Sequence, residues 1–96
     1  MDFEFDEKKR LTTLAKHKID FLDAAEILQS QHLVMDARSE IEERKIAVGQ
    51  LGGSYFAVVF TMRGDRVRII TARKARKDER EQYQAVFSGR NPENEK

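Results

Sequence analysis

The sequence lacks several features on which common classes of protein depend. It has no cysteine among its 96 residues, which excludes thiol catalysis, zinc–thiolate sites and disulfide frameworks and makes a reducing cytosol the simplest compartment. No stretch approaches the roughly 20 apolar residues of a membrane span. The opening MDFEFDEKKR has no apolar run of the kind a signal peptide needs. We therefore expect one soluble, cytoplasmic domain with no membrane association.

Glycine, histidine and proline are also scarce, and their positions exclude further kinds of site. The five glycines match neither a phosphate loop nor a dinucleotide fingerprint. His17 and His32 are far apart, and the acidic run DARSEIEE lacks the glycine of a calcium loop. We expect no metal and no cofactor. The only proline is in the C-terminal SGRNPENEK, which has no core residues. This predicts one domain over residues 1–87 and a disordered tail over 88–96.

Charge is distributed very unevenly along the chain. The net charge is only +1, yet residues 1–43 carry six Lys/Arg against eleven Asp/Glu and residues 44–96 carry twelve against six. Within residues 63–80 three acids oppose eight bases, which are Arg63, Arg66, Arg68, Arg73, Lys74, Arg76, Lys77 and Arg80. Such a segment is typical of a surface that binds a polyanion, most commonly RNA or DNA. The alternative is a domain whose two halves neutralise each other.

Periodicity and capping residues predict the order β-α-α-β-β-β-β-α. An alternating strand around Phe3 and Phe5 leads into a helix that Asp6 caps and that ends at Lys16 or His17. Asp20 caps a second helix, which ends near Gln29 or Ser30. Strands are predicted at residues 33–35 and 44–49, with the acidic run 36–43 as a mobile loop between them. A closing helix is predicted from residue 78 to about residue 87.

Two glycine-containing turns set the register of the later strands. Gly52 and Gly53 make one turn, and Gly64-Asp65 has the glycine that a type II′ hairpin demands at its first position. Regular pairing then places Arg63 opposite Arg66, Phe60 opposite Ile69 and Val58 opposite Thr71. One sheet face becomes core, whereas the other is cationic near the turn and apolar farther back. These elements predict an α+β domain with its helices packed on one face of an antiparallel sheet.

Arginines on the predicted strands are the best candidates for chemistry. Arg44 and Arg63 fall at strand ends, where their side chains can converge, and an arginine fork binds a phosphate and stabilises charge developing on it. Alternation puts Arg73 on the core face beside Ile69 and Thr71, where a charge is costly unless it is paired or used. The alternative is that these arginines merely solvate the sheet or pair with DARSEIEE.

Lys16 and His17 lie together at the end of the first helix. A histidine can donate or accept a proton near neutral pH. The alternative for His17 is that it is a cation that stabilises the carboxyl end of that helix. For Tyr83, a packing role beside Val86 and Phe87 is favoured over contact with a phosphate or a base.

Four segments in chain order resemble the BrnT family of type II toxins: FEFDEKK, LAKHKIDFLDAAEIL, ERKIAVG and VVFTMRGDRVRIITARKARKDEREQY. The resemblance implies a RelE-like domain that cleaves RNA without a metal, inhibits translation, arrests growth and is neutralised by a BrnA antitoxin. DNA would be reached only through that antitoxin. The implied catalytic residues are Arg44, Arg63, Arg73, Lys16 and His17. The basic segment supplies candidate RNA-binding residues Arg66, Arg68, Lys74, Arg76 and Lys77.

Three positions depart from the family pattern. Phe5 replaces the usual tryptophan, Thr13 a frequent asparagine, and Lys18 a glycine that would end the first helix in a left-handed conformation. Because no general base can be named, two alternatives remain. One is a non-catalytic module that binds RNA or docks an antitoxin. The other is an interaction domain whose basic face meets an acidic protein.

Overall fold

The computed structural model describes residues 2–37 and 42–88, which form an α+β domain with one five-stranded sheet. The class predicted from the sequence is therefore confirmed. The elements in chain order are β1 (Asp2–Glu4), α1 (Glu7–His17), α2 (Phe21–Leu28), β2 (His32–Ala37), β3 (Arg44–Leu51), β4 (Ser54–Arg63), β5 (Arg66–Lys74) and α3 (Lys77–Tyr83), followed by a π-helical turn (Gln84–Ser88).

The sheet is mixed, which corrects the prediction of an antiparallel one. Its strand order is β1-β5-β4-β3-β2, and β1 pairs with β5 in parallel, with Phe3 opposite Val67. The other neighbouring strands are antiparallel. Parallel pairing requires a crossover connection, and here nearly the whole chain lies between the two partners. Periodicity within a three-residue strand gave no information about this distant partner.

Helices cover both faces of the sheet, so the prediction of helices on one face was wrong. On the α1–α2 face, Phe21, Ala24 and Ile27 of α2 pack against a core that includes Ala47, Val58, Ile69 and Ala72. On the opposite side, the α3 face, Val48 packs with Ala75 and Tyr83. The neighbours Ala47 and Val48 point to opposite faces and are both fully buried, and a strand buried on both faces needs cover on both.

A β-bulge changes the phase of β5. Pairing follows the predicted register from Arg63–Arg66 to Phe60–Ile69, but Val59 then pairs with Thr71 and Val58 with Ala72, which leaves Ile70 as the extra residue. The predicted pair Val58–Thr71 was therefore wrong. One extra residue turns every later side chain to the other face. Ala72 accordingly enters the α1–α2 core, and Arg73 lies on the α3 face instead of beside Ile69.

The predicted helix starts and turns agree closely with the structure. The Asp6 carboxylate accepts hydrogen bonds from the backbone N–H of Lys8 at 2.8 Å and Lys9 at 3.3 Å, and Asp20 accepts one from Leu22 at 3.0 Å. Gly64 has φ of 63°, as the first position of a type II′ turn requires. Local chemistry therefore placed both early helices and the β4–β5 hairpin.

The acidic run was only partly a loop. Its first two residues, Asp36 and Ala37, belong to β2 and pair with Lys45 and Arg44. Glu42 and Glu43 at its end precede β3 and belong to no strand, as predicted. Residues 38–41 of that predicted loop and residues 89–96 of the predicted tail lie outside the described part of the chain. The closing helix begins one residue earlier than predicted and changes to a π-helical turn after Tyr83, where Val86 is 57% exposed.

Candidate functional site

Near the β4–β5 turn, the α3 face extends beyond the hydrophobic cluster that contains Val48, Ala75 and Tyr83. This part of the face carries arginines from three adjacent strands. In the register, Thr61 of β4 lies opposite Arg68, and Arg63 lies opposite Arg66. Arg44 begins β3 and shares the side of Ile46 and Val48 by strand alternation. We call the set Arg44, Arg63, Arg66 and Arg68 the cationic face. The basic part near the turn therefore agrees with the prediction, whereas the far part does not, because the bulge moves Ala72 to the α1–α2 core and puts Arg73 on this face.

The Thr61 hydroxyl links two of the strands that carry the cationic face. Its side chain is buried, and its Oγ1 donates a 2.6 Å hydrogen bond to the backbone carbonyl of Glu43, immediately before β3. This contact joins the end of β4 to the beginning of β3. The structure therefore brings together Arg44 and Arg63, the two strand-end arginines that the sequence nominated.

Nearby carboxylates neutralise only part of the positive charge of the cationic face. Glu42 accepts from Arg44 Nε at 3.1 Å, and the two oxygens of Glu4 lie 3.1 Å from Arg68 Nη1 and 3.6 Å from Arg66 Nη1. Arg63 is exposed and has no ion pair within 4.0 Å among residues 2–37 and 42–88. Solvent-accessible pairs contribute about 0–1 kcal/mol, so a polyanion can readily exchange with these carboxylates.

Arg73 lies in a different environment, beneath the start of α3. Its Nη1 and Nη2 donate to Glu79 Oε1 at 2.8 Å and Oε2 at 2.9 Å, and Nη1 also donates to the Lys74 carbonyl at 3.2 Å. The Glu79 side chain is only 4% exposed. The guanidinium hydrogen bonds hold the pKa of this carboxyl below its ordinary value, and the carboxylate in turn raises the pKa of Arg73.

The register separates Arg73 from the cationic face. Arg73 pairs with Ala57, four residues along β4 from Thr61, which corresponds to roughly 14 Å between backbone positions at a strand rise of about 3.4 Å. The structure therefore does not place Arg73 next to Arg44 and Arg63. It identifies Glu79 as the residue that fixes the Arg73 guanidinium, a role that the sequence analysis missed.

Lys16 and His17 line a groove of about 290 Å³ between α1 and β5. We call it the α1 groove; its other lining residues are Lys8, Lys9, Thr12, Thr13, Ile70 and Thr71. Thr71 follows the bulge and pairs with Val59 on the α3 face, so the groove borders that face. Lys8, Lys9 and Thr12 were not predicted from the sequence, although two rows of residues at i, i+4 spacing, Lys8-Thr12-Lys16 and Lys9-Thr13-His17, could have revealed them.

Three predicted RNA-binding residues lie at the other end of β5. Lys74 ends that strand opposite Phe56, while Arg76 and Lys77 lie at the beginning of α3. The Arg76 backbone N–H donates to Glu79 Oε1 at 2.8 Å, and Lys77 Nζ lies 3.6 Å from Glu81. These residues do not join the cationic face in this fold.

Tyr83 has the packing role that the sequence favoured. It is 7% exposed, contacts Tyr55 edge-on with ring centroids 5.4 Å apart, and accepts a hydrogen bond from Gln31 Nε2 at 3.1 Å. Among the residues that the structure describes, no group of three or more His, Asp or Glu side chains could hold a metal ion. No helix in those same ranges is long and apolar enough to cross a membrane.

These elements define a small α+β domain with an arginine-rich sheet face beside a lysine-lined groove. Residues 5–79 match the model of the family described as the ribonuclease toxin, BrnT, of type II toxin-antitoxin systems. The match spans most of the chain, which therefore belongs to that family: it is a ribonuclease toxin with an antitoxin as its partner. The family resemblance carried by the sequence motifs is thereby confirmed. No curated protein matches the chain.

Proposed function

We propose that this toxin cleaves single-stranded RNA at the cationic face without a metal ion. The adjacent 2′-hydroxyl loses its proton and attacks the phosphorus, which forms a 2′,3′-cyclic phosphate as the P–O5′ bond breaks and the departing 5′-oxygen takes up a proton. Arginines stabilise the charge that develops on the phosphate oxygens. The observation that supports this most is the gathering of Arg44, Arg63 and Arg68 from three strands on one open surface. The proposed catalytic residues are Arg44, Arg63, Lys16 and His17, and Arg73, which the sequence also nominated, is proposed to bind the RNA strand farther along the sheet.

The proposed residues have different roles because their surroundings differ. Arg44 and Arg63 contact the scissile phosphate, with Arg66 and Arg68 holding the strand beside it. Arg73 lies too far along the sheet to contact that phosphate, so its guanidinium, which Glu79 keeps in one orientation, holds a neighbouring part of the RNA strand. His17, half-buried in the α1 groove, transfers a proton during cleavage. Lys74, Arg76 and Lys77 hold RNA outside this region.

We propose that the antitoxin is BrnA-like and neutralises the toxin by covering the cationic face. The toxin would then reach DNA only through that protein. Free toxin acts in the cytoplasm, where RNA cleavage inhibits translation and arrests growth. We also assign residues 1–87 to one RelE-like domain; the support for that fold family is the pair of early helices packed on a mainly antiparallel sheet.

Cleavage of an unstructured RNA in the presence of EDTA tests this proposal. Arg63→Gln removes one exposed charge without leaving a buried partner, so the fold is expected to persist. Loss of one transition-state donor lowers rates by about 10²–10³-fold, and we expect that loss in single-turnover cleavage. The matched control Lys18→Gln removes an exposed charge outside both surfaces and should retain the parent rate.

Each unfavourable result identifies a different error. Parent-like cleavage by both Arg63→Gln and Arg44→Gln would show that the cationic face is not the catalytic site. Activity in the parent that EDTA abolishes would rule out metal-independent cleavage. RNA binding by the parent without any cleavage would favour the non-catalytic binding module.

A further inference from the structure

We propose that the Lys8–Lys9 end of the α1 groove is a binding subsite for phosphodiester groups of the RNA strand outside the cleavage position, whereas Lys16 and His17, which we assign to cleavage, lie at its other end. This inference rests on the proposed function, since it extends the path of the same RNA substrate. Six residues of α1 line the groove, which are Lys8, Lys9, Thr12, Thr13, Lys16 and His17. No acidic residue is among the lining residues.

The charge of the α1 groove is uncompensated, unlike that of neighbouring basic groups. Arg68, Arg73 and Arg10 each have a carboxylate oxygen within about 3.1 Å. Lys8, Lys9 and Lys16 have no ion pair within 4.0 Å in the described ranges 2–37 and 42–88. A lysine carries its ammonium group on a flexible side chain, so it can neutralise a phosphate without fixing the orientation of that phosphate.

The position of Lys8 and Lys9 in the helix strengthens this inference. Both lie in the first turn of α1, where the helix dipole favours acids and a cation costs roughly 0.3–1 kcal/mol. Asp6, which accepts from the backbone N–H groups of Lys8 and Lys9, and Glu7 in the same turn offset part of this cost, but neither carboxylate forms an ion pair with the two ammonium groups among the described residues. Two adjacent cations at the beginning of a helix still break a local stability rule, which is typical of a functional position.

The α1 groove has the length and the location of a strand path. Lys8 and Lys16 are eight residues apart, which is roughly 12 Å along a helix that rises about 1.5 Å per residue. At Thr71 the groove borders the α3 face, which also carries the cationic face. One extended RNA strand can therefore contact both surfaces. That continuity favours RNA over an acidic protein segment as the ligand of the groove.

Salt dependence of binding provides a quantitative test. The probe is a fully 2′-O-methylated oligoribonucleotide, which lacks the attacking hydroxyl and remains intact, titrated into the full chain between 50 and 200 mM KCl. Each phosphate contact contributes about −0.7 to the slope of log K against log salt for a single strand. Lys8→Gln/Lys9→Gln should therefore reduce the steepness by about 1.4, whereas Lys18→Gln should leave it near the parent value.

The outcomes separate this inference from the proposed function. Parent cleavage of the unmodified RNA, with equal slopes in the double variant and in Lys18→Gln, would overturn the groove assignment alone. So would an unchanged RNA slope accompanied by weakened neutralisation by the antitoxin. A parent that neither binds nor cleaves RNA would overturn both proposals. Circular dichroism checks that the glutamine variants, which relieve the dipole conflict, remain folded.

Discussion

Lys18 is held in a backbone conformation that favours glycine. It ends α1 with φ of 61° and ψ of 31°, and its N–H donates to the Leu14 carbonyl at 3.0 Å. The family pattern has glycine at this position, and Lys18 keeps the left-handed conformation that a glycine would adopt there. Lys18→Gly should raise the free energy of unfolding by up to about 1 kcal/mol, because glycine has no Cβ penalty in the left-handed region. Urea denaturation measures the change.

Lys18→Ala is the matched control for that prediction. It removes the same side chain but retains the Cβ atom and therefore the backbone strain. We expect no comparable gain in stability. An equal gain in the alanine and glycine variants would show that the lysine side chain, and not its backbone conformation, was unfavourable.

The Arg73–Glu79 pair predicts a large loss of stability when one partner is removed. Arg73→Ala leaves a carboxylate that is only 4% exposed without its bidentate partner. Removing one member of a buried pair costs about 3–5 kcal/mol, and we expect a loss of that size in thermal and urea unfolding. Inactivity of Arg73→Ala would thus reflect folding as well as RNA binding, so Arg63 is the sharper test of the site.

Replacing both members of the pair tests the cause of that loss. Arg73→Met/Glu79→Leu removes both charges and keeps apolar volume, and such replacements of buried pairs are often close to neutral. The double variant should recover most of the stability that Arg73→Ala loses. A double variant as unstable as the single one would mean that packing, and not an unpaired carboxylate, dominates.

At the scale of elements, β3 and α2 approach each other closely at Gly49. A Cβ atom added to Gly49 would lie 2.6 Å from Ile27 Cγ2, and Ile27 is only 1% exposed. Gly49→Ala should therefore lower the free energy of unfolding by about 1–3 kcal/mol, the range for overpacked cores. In an Ile27→Ala background the same substitution should cost much less, which a double-mutant cycle measures. Equal costs in both backgrounds would locate the strain elsewhere.

The sequence predicted the start of a helix or the position of a turn correctly where one local interaction determines it. The caps at Asp6 and Asp20 and the turn at Gly64 depend on residues within three positions, and all three were identified correctly. The phase of β5 was not predictable, because an apolar Ile70 fits regular alternation as well as a bulge. That one residue decided that Arg73 lies under α3 and not in the α1–α2 core.

At the scale of the whole molecule, two hydrophobic clusters share one sheet. Both tyrosines, Tyr55 and Tyr83, belong to the cluster on the α3 face, and the chain has no tryptophan. Tyrosine fluorescence therefore reports that cluster, while far-UV circular dichroism reports the entire fold. Because the same strands support both clusters, we expect coincident urea transitions, as a two-state domain of this size shows. Earlier loss of the fluorescence signal would mean that the α3 side unfolds separately.

The sequence predicted which arginines make up the candidate site but not how those residues are arranged in space. The basic segment and the turn at Gly64 indicated a cationic sheet surface from the sequence alone. Glu4 lies 64 residues from its partner Arg68, and Glu79 meets Arg73 only because the bulge puts Arg73 on the α3 face. The α1 groove likewise requires α1 to lie beside Ile70 and Thr71, a contact that no periodicity encodes.

The sequence by itself determined the helices, the turns, the concentration of positive charge and the family, since each follows from residues close together in the chain or from motifs in order. Only the tertiary structure decided the parallel β1–β5 pair, the cover on both sheet faces and the bulge at Ile70. Those features depend on contacts between residues distant in sequence. Such contacts form only when the whole core is packed.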